Sequence, residues 1–377
     1  MSKTLQDYAT LINDTIQSNE INHYITTDNM CQNLGGIDTF KNINIPQGKV
    51  RSFQKDDILL SNIRLYFRKV YRAKQKGGCS SDVLVFRAKH IDSATLFAIL
   101  SSQIFTDYAC LGSQGSKMPR GNKTHMMDFK IPTINFTIAK IFNSIQNKIE
   151  NNHKINELLH KILELLYEQY FVRFDFLDEN NKPYQTSGGK MKFSKELNRL
   201  IPSGWSVRFL NHKIVSTYQP KTISKTLLND SYSYSVYGGG GIIGRFTEYN
   251  HEQSEFIISC RGQCGISYLT LPKSWITGNA MVIRPTKSYT SKTYLYHTIK
   301  KYKLTNYITG SVQPQITRQN LSTMPILIPK RKTLNKWNNI SSLLWNLIHN
   351  NMQSTQTLTA LRDFLLPLLL KQQVKPK

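Results

Sequence analysis

The sequence predicts an α+β chain in which two similar mixed α/β domains are joined by two long antiparallel coiled-coil helices. Three observations predict it: the chain matches itself at a constant offset, each half ends in a stretch of helical periodicity, and the apolar framework is kept while the polar loops differ. We expect the domains at residues 1–135 and 179–330 and the helices at residues 136–178 and 331–377. The chain would then be a pseudo-twofold internal repeat.

The self-match is clearest at an offset of 198 residues. DILLSNIR (57–64) falls on EFIISCRG (255–262), and the alignment runs on until Arg120 meets Arg318. A constant offset means that the same elements recur without insertion, so the two halves should share a fold and a similar task. Because the loops differ, the two halves are expected to recognise different targets.

Both helical stretches carry a seam of core positions that alternates steps of three and four, as in a coiled coil. The first seam is Ile138, Ile141, Ile145, Lys148, Asn152, Ile155, Leu159, Ile162, Leu166 and Gln169. The second is Trp337, Ile340, Leu344, Leu347, Asn351, Ser354, Leu358, Leu361, Leu365 and Leu368. The two seams share one register.

An asparagine occupies the same core position in both seams, Asn152 and Asn351. A polar residue at such a position weakens packing but fixes alignment, so these two are the predicted register residues of the helix pair. A shared seam of roughly 32 residues would be about 48 Å long at 1.5 Å per residue. Pro367 is expected to kink or end the last helix.

Charge indicates the partner. Lysine and arginine total 49 against 24 aspartate and glutamate, a formal net charge of +25. Such an excess favours a polyanion whose counterions are released on binding. An anionic membrane surface is the competing partner, but it calls for a basic amphipathic helix or a lipid anchor, and the charge here is spread through both halves. Double-stranded DNA is therefore the expected partner.

The N-terminal segment predicts the location of the protein, and the cysteines bear on disulfide formation and metal binding. The start of the chain, MSKTLQDYATLIND, lacks a signal-peptide pattern, and no long apolar run follows, so a cytoplasmic protein without a membrane partner is expected. Five scattered cysteines do not resemble a secreted disulfide framework. Cys260 and Cys264 are four apart but lack two further clustered ligands, so no metal site is expected.

Motifs of catalysis are also missing from the sequence. No two prolines are adjacent, which excludes the Pro-Pro-aromatic loop of amino-methylating DNA methyltransferases, and no Glu-x-Lys of nuclease metal sites occurs. GGGGIIGRF (238–246) lacks the Gly-Lys-Ser/Thr ending of a phosphate-binding loop, so its glycines are expected in a tight turn or a close backbone approach. We expect a non-catalytic binder and scaffold with no cofactor of its own.

Several of these segments together resemble a known family. The marks are YITTDNM (24–30) with GGI (35–37), DILLSNIR followed by GGCSSDVLVFRAK, GSQGSKMPRGNK, IPSGW (201–205), GSVQPQITRQNL (310–321) and LRDFLLPLLL (361–370). Over its whole length the chain resembles the specificity subunit of type I restriction-modification enzymes.

The resemblance implies two target-recognition domains, each binding one half of a bipartite DNA sequence. It implies that the helices set the spacing and dock two adenine methyltransferase subunits, and that restriction/translocase subunits complete the enzyme. S-adenosylmethionine, ATP and magnesium would be bound by those partners. One departure is that the first half lacks an equivalent of IPSGW, so that domain is expected to be trimmed, with the final helix or tail in its place.

Candidate DNA-binding residues follow from side chains that hold phosphates or read base edges. In the first domain they are Arg64, Tyr66, Arg68, Lys117 and Arg120; in the second they are Tyr234, Tyr237, Arg245, Arg261, Gln313, Gln315 and Arg318. The alternative for the tyrosines is packing within strands. Arg120 and Arg318, aligned by the repeat, favour a shared phosphate contact, whereas Gln313 and Gln315 differ from their partners and favour specificity.

Three other functions stay open at this point. The nearest alternative is the specificity subunit of a fused restriction system that cuts on both sides of its site, which the neighbouring gene would distinguish. An architectural or single-strand DNA binder would use tyrosines as stacking platforms and bind without sequence preference. An enzyme would methylate or cleave DNA unaided, which the missing motifs disfavour.

Overall fold

The structure is a computed structural model that describes residues 3–38, 41, 43–131, 136–229, 232–262, 264–310 and 313–371. The chain divides into two units, which we call unit 1 (Met1–Ile155 with Asn351–Lys377) and unit 2 (Asn156–Asn350). The boundary falls inside both long helices, so each unit contains part of each helix. The units are described separately.

Unit 1 contains eight described strands and five helices. The strands are β1 (Ala9–Ile12), β2 (Thr15–Gln17), β3 (Tyr24–Ile25), β4 (Lys49–Phe53), β5 (Ile58–Ser61), β6 (Val70–Arg72), β7 (Gly77–Cys79) and β8 (Val83–Ala88). The helices are α1 (Leu5–Tyr8), α2 (Ser93–Leu100), α3 (Gln103–Leu111), α4 (Lys123–Met127) and α5 (Phe136–Tyr167), with 3-10 turns at Ser18–Glu20 and Leu65–Phe67.

Two four-stranded sheets form in unit 1. The first has the order β1-β8-β5-β6 and is antiparallel throughout; the second has the order β2-β4-β7-β3, with β3 parallel to β7. The central strands β5 and β8 have continuous apolar runs rather than alternating ones, which is typical of a sheet buried on both faces. Ile58 and Leu60 belong to one core cluster and Leu59 to another, as this pattern requires.

Helices α2 and α5 cover one face of the first sheet. Asp92 and Ser102 cap α2 and α3 by accepting hydrogen bonds from the backbone N–H groups of Thr95 and Phe105. Phe97 of α2 and Phe142 of α5 lie 5.6 Å apart between ring centres.

Unit 2 contains thirteen described strands and three further helical elements. Its strands are β9 (Met191–Ser194), β10 (Arg199–Pro202), β11 (Ser206–Phe209), β12 (Val215–Tyr218), β13 (Tyr234–Gly238), β14 (Gly241–Phe246), β15 (Phe256–Ser259), β16 (Ser267–Leu269), β17 (Trp275–Ile276), β18 (Ala280–Pro285), β19 (Ile308–Thr309), β20 (Gln315–Ile316) and β21 (Pro325–Ile328). Its helices are α6 (Lys292–Lys300), α7 (Arg318–Leu321) and α8 (Arg331–Lys371), with shorter turns at Glu168–Val172, Lys225–Leu227 and Leu304–Tyr307.

The main sheet of unit 2 has the order β12-β18-β15-β16 and is antiparallel. This order matches that of the first sheet in unit 1, strand for strand along the chain. A second sheet has the order β14-β13-β17, with β13 parallel to β17, as β3 is parallel to β7 in unit 1. The mixed helix and strand architecture predicted from the sequence is confirmed.

A buried acid precedes a central strand of each main sheet and pairs with a partly exposed arginine of the neighbouring strand. Asp57 accepts two hydrogen bonds from Arg87, at 2.8 and 2.9 Å. Glu255 accepts two from Arg284, at 3.0 and 2.7 Å. Paired hydrogen bonds of this kind satisfy both carboxylate oxygens and raise the pKa of each arginine. The pairs join the start of the central strand to its neighbour.

Aromatic side chains form much of the core where α5 and α8 meet in unit 2. Tyr167 lies 5.8 Å from Trp337 and Phe171 lies 5.5 Å from the same indole, ring centre to ring centre. Phe171 also contacts Trp205, the tryptophan of IPSGW, at 6.0 Å. IPSGW therefore serves the packing of unit 2 against both long helices.

Some of the predicted seam positions of the first helix are buried, and others are exposed. Ile138, Ile145 and Asn152 are buried as predicted. The structure also buries Phe142, Ile149 and Leu163, whereas the predicted positions Ile141, Ile155 and Ile162 are exposed. Both choices satisfy steps of three and four, and contact with the unit cores, such as that of Phe142 with Phe97, decides between them.

The second seam shifts in the same way. Trp337 is buried as predicted, but Ser341, Trp345 and Ile348 replace the predicted Ile340, Leu344 and Leu347 as the buried positions that follow. The buried faces run antiparallel where contacts are recorded within a unit: Gln146 pairs with Arg362 and Asn152 with Thr355 in unit 1. The coiled-coil interpretation of the pair stays a prediction.

The register residues differ in their surroundings. Asn152 is 1% exposed and its amide donates to the hydroxyls of Thr355 (3.2 Å) and Ser354 (3.5 Å). Asn351 is only half-buried. Asn152 thus has the partners that a buried amide needs, and they lie on the opposite helix.

Both helix ends differ from expectation. Helix α5 ends at Tyr167 and a π-type turn follows to Val172, so the helix is shorter than the predicted segment to residue 178. Pro367 does not end helix α8, which continues to Lys371, and a kink at the proline stays a prediction. A proline removes one backbone hydrogen bond, and the burial of Leu366 and the packing of Leu368 against the core of unit 1 offset that loss. The final helix therefore does pack on unit 1, while residues 372–377 lie outside the described residues.

Within the described residues, no single helix has the length and apolar composition to cross a membrane. Only Ser93–Leu100 and Gln103–Leu111 together reach that length and composition, and they are bent by 59° where they join.

Buried histidines in unit 2 predict loss of stability in acid. Burial lowers the pKa of His297 to about 3 and that of His349 to about 4. Below about pH 6.5, the unfolded chain takes up protons that these folded-state imidazoles do not, so stability falls as pH falls from there towards 4. We expect each histidine to cost about 1 kcal/mol of unfolding free energy between pH 7.5 and 5.5.

Urea unfolding at the two pH values measures this effect. The variant His297→Gln is expected to lose less stability between pH 7.5 and 5.5 than the unchanged chain, whatever its stability at neutral pH. The exposed His212 provides the control, since His212→Gln should leave the difference as it is. An equal pH difference in all three proteins would contradict the assignment.

Candidate nucleic-acid interface

In unit 1 the structure brings together three of the predicted residues on two loops. The backbone N–H of Arg64 donates to the carbonyl of Pro119 (2.9 Å), and its guanidinium donates to the carbonyl of Lys117 (3.3 Å). Ile63 and Arg120 form a β-bridge beside them. The exposed side chains of Lys117 and Arg120 therefore stand next to Arg64.

Tyr66 and Arg68 follow on a tight turn. Arg64 and Arg68 both adopt left-handed backbone conformations, with φ of 50° and 49°, at the two ends of the 3-10 turn Leu65–Phe67. Tyr66 on this turn is 53% exposed and its ring contacts Phe67. Tyr66 is thus the exposed aromatic residue among the predictions for unit 1.

Arg68 is a correction. Its guanidinium donates to the carbonyl of Ser101 at 2.9 Å, and burial lowers its pKa. A guanidinium that satisfies a carbonyl at the end of helix α2 holds the turn in place. The structure therefore assigns Arg68 to the support of the loop rather than to its exposed surface.

The charge of Arg120 is partly compensated. Its guanidinium lies 3.0 Å from a carboxylate oxygen of Asp82, and both side chains keep substantial exposure. An exposed pair of this kind contributes little to stability, so Arg120 can exchange Asp82 for another anion at small cost.

In unit 2 three predicted residues come together in a matching arrangement. Arg261 and Gln315 form a β-bridge, and Gln315 also pairs with Thr309 in the hairpin of β19 and β20. Gln313 is exposed in the loop of that hairpin. The thiol of Cys264 donates to the carbonyl of Pro314 at 3.1 Å and so ties the loop after β15 to the glutamine loop. Ser311 and Val312 of this segment lie outside the described residues.

The glycine-rich segment forms the tight turn between β13 and β14, as predicted. Gly241 has a φ of +97°, which a side chain disfavours. A Cβ on Gly239 would lie 2.8 Å from the carbonyl oxygen of Arg261. Glycine is therefore required for the turn to approach the loop that carries Arg261, and the turn, Arg261 and Gln315 form one continuous surface.

Tyr234 and Arg245 lie at the other end of this hairpin. Tyr234 pairs with Phe246, and its ring contacts Tyr249 at 4.9 Å. The guanidinium of Arg245 donates to the carbonyls of Tyr232 and Ser233. The structure does not bring these two residues together with Arg261 and Gln315, and Arg245 supports a loop.

Tyr237 is a second correction. Its side chain is 3% exposed, and its hydroxyl accepts a hydrogen bond from the backbone N–H of Leu271 (3.0 Å). Burial raises the pKa of this hydroxyl to about 12. The ring packs with Ile257 and Ile276 in the core, so the packing alternative for strand tyrosines applies here.

The pairing of Arg120 with Arg318 is also wrong. In unit 1, Arg120 forms a β-bridge with Ile63. Arg261 is the residue of unit 2 that corresponds to Ile63, and it forms its β-bridge with Gln315. The pairing within each hairpin also matches Arg120 with Gln315: Gln114 pairs with Arg120 in unit 1, and Thr309 pairs with Gln315 in unit 2. The offset in this loop is therefore 195 residues rather than 198.

The helix that follows supports the corrected offset. Asn122 caps α4 and Thr317 caps α7, and these two residues are again 195 apart. Arg318 is the first residue of α7 and is exposed, whereas Arg120 precedes its cap. A shared phosphate contact for the two arginines therefore has no support. Arg120 and Gln315 occupy corresponding bridged positions in the two units, and their side chains differ.

Sequence reasoning gave no role to a third loop of unit 1, in which two backbone carbonyls accept hydrogen bonds from lysines. The ammonium of Lys69 donates to the carbonyl of Thr27 (2.5 Å), and that of Lys41 to the carbonyl of Asp28 (3.0 Å). Asn29 closes this loop by accepting a hydrogen bond from the N–H of Thr26 at 2.8 Å. The signal was present in YITTDNM, which the sequence marked as a family feature without any residue role.

The described residues contain no group of three or more histidine, cysteine, aspartate or glutamate side chains that would hold a metal ion. The site is thus made of arginine, lysine, glutamine and exposed backbone on paired loops. Such groups hold phosphates and read base edges.

Comparison with known proteins indicates which kind of protein has this fold. Residues 202–361 match the family model of the type I restriction modification DNA specificity domain. The resemblance to type I specificity subunits is confirmed over these residues.

Particular relatives can be named. The chain is 22% identical over 315 residues to the type I restriction enzyme MjaIX specificity subunit of Methanocaldococcus jannaschii, covering 74% of this chain and 68% of that protein. In fold it is similar to the S subunit of a type I restriction-modification system from M. genitalium, with a TM-score of 0.63 and 15% identity over 98% of this chain and 96% of that one.

The burial of Tyr237 gives a prediction that separates packing from DNA contact. Tyr237→Phe removes the acceptor for the N–H of Leu271 and leaves the ring in place, so we expect the unfolding free energy to fall by about 1–2 kcal/mol. DNA affinity should not change. Urea unfolding and a fluorescence-anisotropy titration with DNA measure the two effects; weaker DNA binding with unchanged stability would contradict the core assignment.

Proposed function

We propose that the chain is the DNA-specificity subunit of a type I restriction-modification complex and that each unit binds one half of a bipartite DNA target. The observation that carries this proposal is the pair of bridged loops, Ile63 with Arg120 in unit 1 and Arg261 with Gln315 in unit 2. The loops occur at corresponding points of two sheets with the same strand order. Related surfaces with different side chains suit two different half-sites.

Within each surface the roles divide by chemistry. Lys117 and Arg120 in unit 1, and Arg261 in unit 2, hold phosphates and set the position of the protein on the duplex. Gln313 and Gln315 carry amide groups that can donate and accept to one base edge, as adenine recognition requires. The net charge of +25 supplies the long-range attraction.

The long helices set the spacing between the half-sites and dock two adenine methyltransferase subunits. Continuous helices of 32 and 41 residues support the spacing role. Their exposed large apolar side chains support docking, because water-exposed apolar surface on a helix favours a partner protein. These side chains include Leu158, Leu165, Leu343 and Phe364, which are 51 to 67% exposed.

The subunit itself is non-catalytic in this proposal. Methyl transfer to adenine requires the base to leave the duplex and enter a pocket of the methyltransferase partner. S-adenosylmethionine, ATP and magnesium belong to the methyltransferase and restriction/translocase subunits. Single-strand binding on tyrosine platforms is not favoured, because Tyr237 is buried and Tyr234 contacts Tyr249, which leaves Tyr66 as the one well-exposed ring among the three candidates.

Methylome sequencing tests the proposal. The chain is co-expressed with an adenine methyltransferase of the same system, and methylated adenines are mapped in the host DNA. We expect one split motif, with two short constant blocks around a gap of fixed length. Methylation without a split motif, or none in a complex that co-purifies, would overturn the two-reader proposal.

A paired substitution then assigns one block to unit 2. Gln313→Ala with Gln315→Ala removes two base-reading candidates, and each lost pair of base contacts costs about 1–3 kcal/mol of discrimination. We expect relaxed sequence preference in one block and no change in the other. Changes in both blocks, or in neither, would show that these glutamines do not read a half-site.

Salt dependence tests a phosphate contact in unit 1. Lys117→Gln should weaken binding to all duplexes alike and reduce the slope of log K against log salt by about 0.9, the value for one phosphate contact. Lys55→Gln is the matched control, since Lys55 is exposed but precedes β5 and so lies at the far end of that strand from Arg64. An unchanged slope for Lys117→Gln would remove this residue from the interface.

A further inference from the structure

A cavity of about 310 Å³ lies in unit 2 at the start of helix α8, apart from every candidate DNA-binding residue. One wall is aromatic, with Phe176, Tyr184 and Trp205. The beginning of α8 also lines the cavity, with lysines and Thr333. The three rings are stacked, since the Phe176 ring centre is 4.9 Å from Tyr184 and 5.1 Å from Trp205 with nearly parallel planes.

The start of α8 lacks a side-chain cap. The carbonyl of Lys330 accepts the first hydrogen bond of the helix, from the N–H of Leu334 (3.1 Å), which makes Lys330 the capping residue. A lysine side chain has only donors and cannot satisfy the free N–H groups of the first turn. Helices α2 and α6, by contrast, are capped by Asp92 and Ser291.

The charges at this helix end have the sign that the helix dipole disfavours. Lys330, Arg331 and Lys332 are consecutive at the positive end of the dipole, and the first turn contains no acidic residue. An anion bound here would be favoured both by the free N–H groups and by these ammonium and guanidinium groups.

A hydroxyl without a protein partner provides an independent indication of a ligand. Thr333 is 6% exposed and lines the cavity, and its hydroxyl makes no hydrogen bond with any residue in the described part of the chain. The hydroxyl oxygen itself is not fully buried, so it opens onto the cavity and can donate to a ligand oxygen there.

The IPSGW segment helps to shape this site. A Cβ on Gly204 would lie 2.7 Å from Cε of Lys330. The absence of a side chain at this position leaves room for the lysine to lie along the cavity, which Ser203 and Trp205 also line.

Two carboxylates in the cavity wall do not occupy the site. Asp178 accepts hydrogen bonds from the backbone N–H groups of Asn180 and Lys182, each at 2.8 Å. No ion pair joins Asp178 or Glu179 to a lysine among the residues that the structure describes. The lysines at the helix start therefore keep their charge available.

We propose that this cavity binds a small phosphate monoester of nucleotide size. The phosphate is held by the first-turn N–H groups of α8, the hydroxyl of Thr333 and the ammonium group of Lys330. The remainder of the ligand lies against the half-buried Tyr184. The volume is at the lower end of the range for small-molecule sites, which suits a nucleoside monophosphate. This inference does not depend on the proposed DNA function.

Isothermal titration at constant ionic strength tests the site, with inorganic phosphate and AMP as the two probes and the full chain as the protein. We expect saturable binding of AMP that is tighter than that of phosphate. Thr333→Val keeps the shape of the side chain and removes the hydroxyl, so it should weaken both probes by about tenfold or more. Thr333→Ser should restore binding, which separates loss of the hydroxyl from loss of folding.

Lys330→Gln should also weaken both probes, whereas Lys195→Gln, an exposed lysine of unit 2 outside the cavity, should not. Absence of saturable binding by the unchanged chain would overturn the proposal. Equal binding by Thr333→Val and the unchanged chain would overturn it as well. If Lys330→Gln weakens duplex DNA binding while AMP does not bind at all, the basic helix start is a DNA phosphate contact instead.

Discussion

Each unit depends on burying side chains from both long helices. In unit 1, Phe142 of α5 packs against Phe97, and Leu366 of α8 lies in the same core. In unit 2, Tyr167 of α5 and Trp337 of α8 are both at most 5% exposed and contact each other. Each continuous helix must therefore satisfy two cores. This requirement, more than any seam between the helices, sets which face each helix buries.

Polar side chains inside this packing connect the helices to the candidate DNA surface of unit 1. Arg362, 1% exposed, donates to the side-chain oxygen of Gln146, whose amide donates to the carbonyl of Leu34. The N–H of Leu34 donates in turn to the carbonyl of Arg68, at the end of the turn that carries Tyr66. Because buried polar groups are costly without partners, this series of hydrogen bonds fixes the turn relative to the helices of unit 1.

The two candidate surfaces show how one loop framework presents different chemistry. In both units a loop after the central strand is bridged to a second loop that leads into a short capped helix. Backbone hydrogen bonds form the bridges, so the side chains at these positions are free to differ without loss of the framework. Arg120 and Gln315 occupy one such position, and the first offers a charge where the second offers an amide.

The sequence by itself determined the apolar strands, and it predicts a polyanionic partner and a paired organisation. Net charge, the run ILLS that returns as FIIS, and the placement of Asp57 and Glu255 before these strands depend only on local composition and order. Burial on both faces follows from such continuous apolar runs, and the structure agrees. The glycine turn was likewise predictable, because only glycine tolerates its backbone conformation.

Tertiary structure alone decided where individual side chains point. Tyr237 and Arg68 are residue types that suit DNA, yet the first fills a core and the second supports a turn. The repeat offset changes from 198 to 195 within the loops, where length varies without disturbing the sheets, and only the β-bridges show it. The helix face was ambiguous because two stripes satisfy the same steps of three and four. Contacts between residues far apart in the chain resolved it.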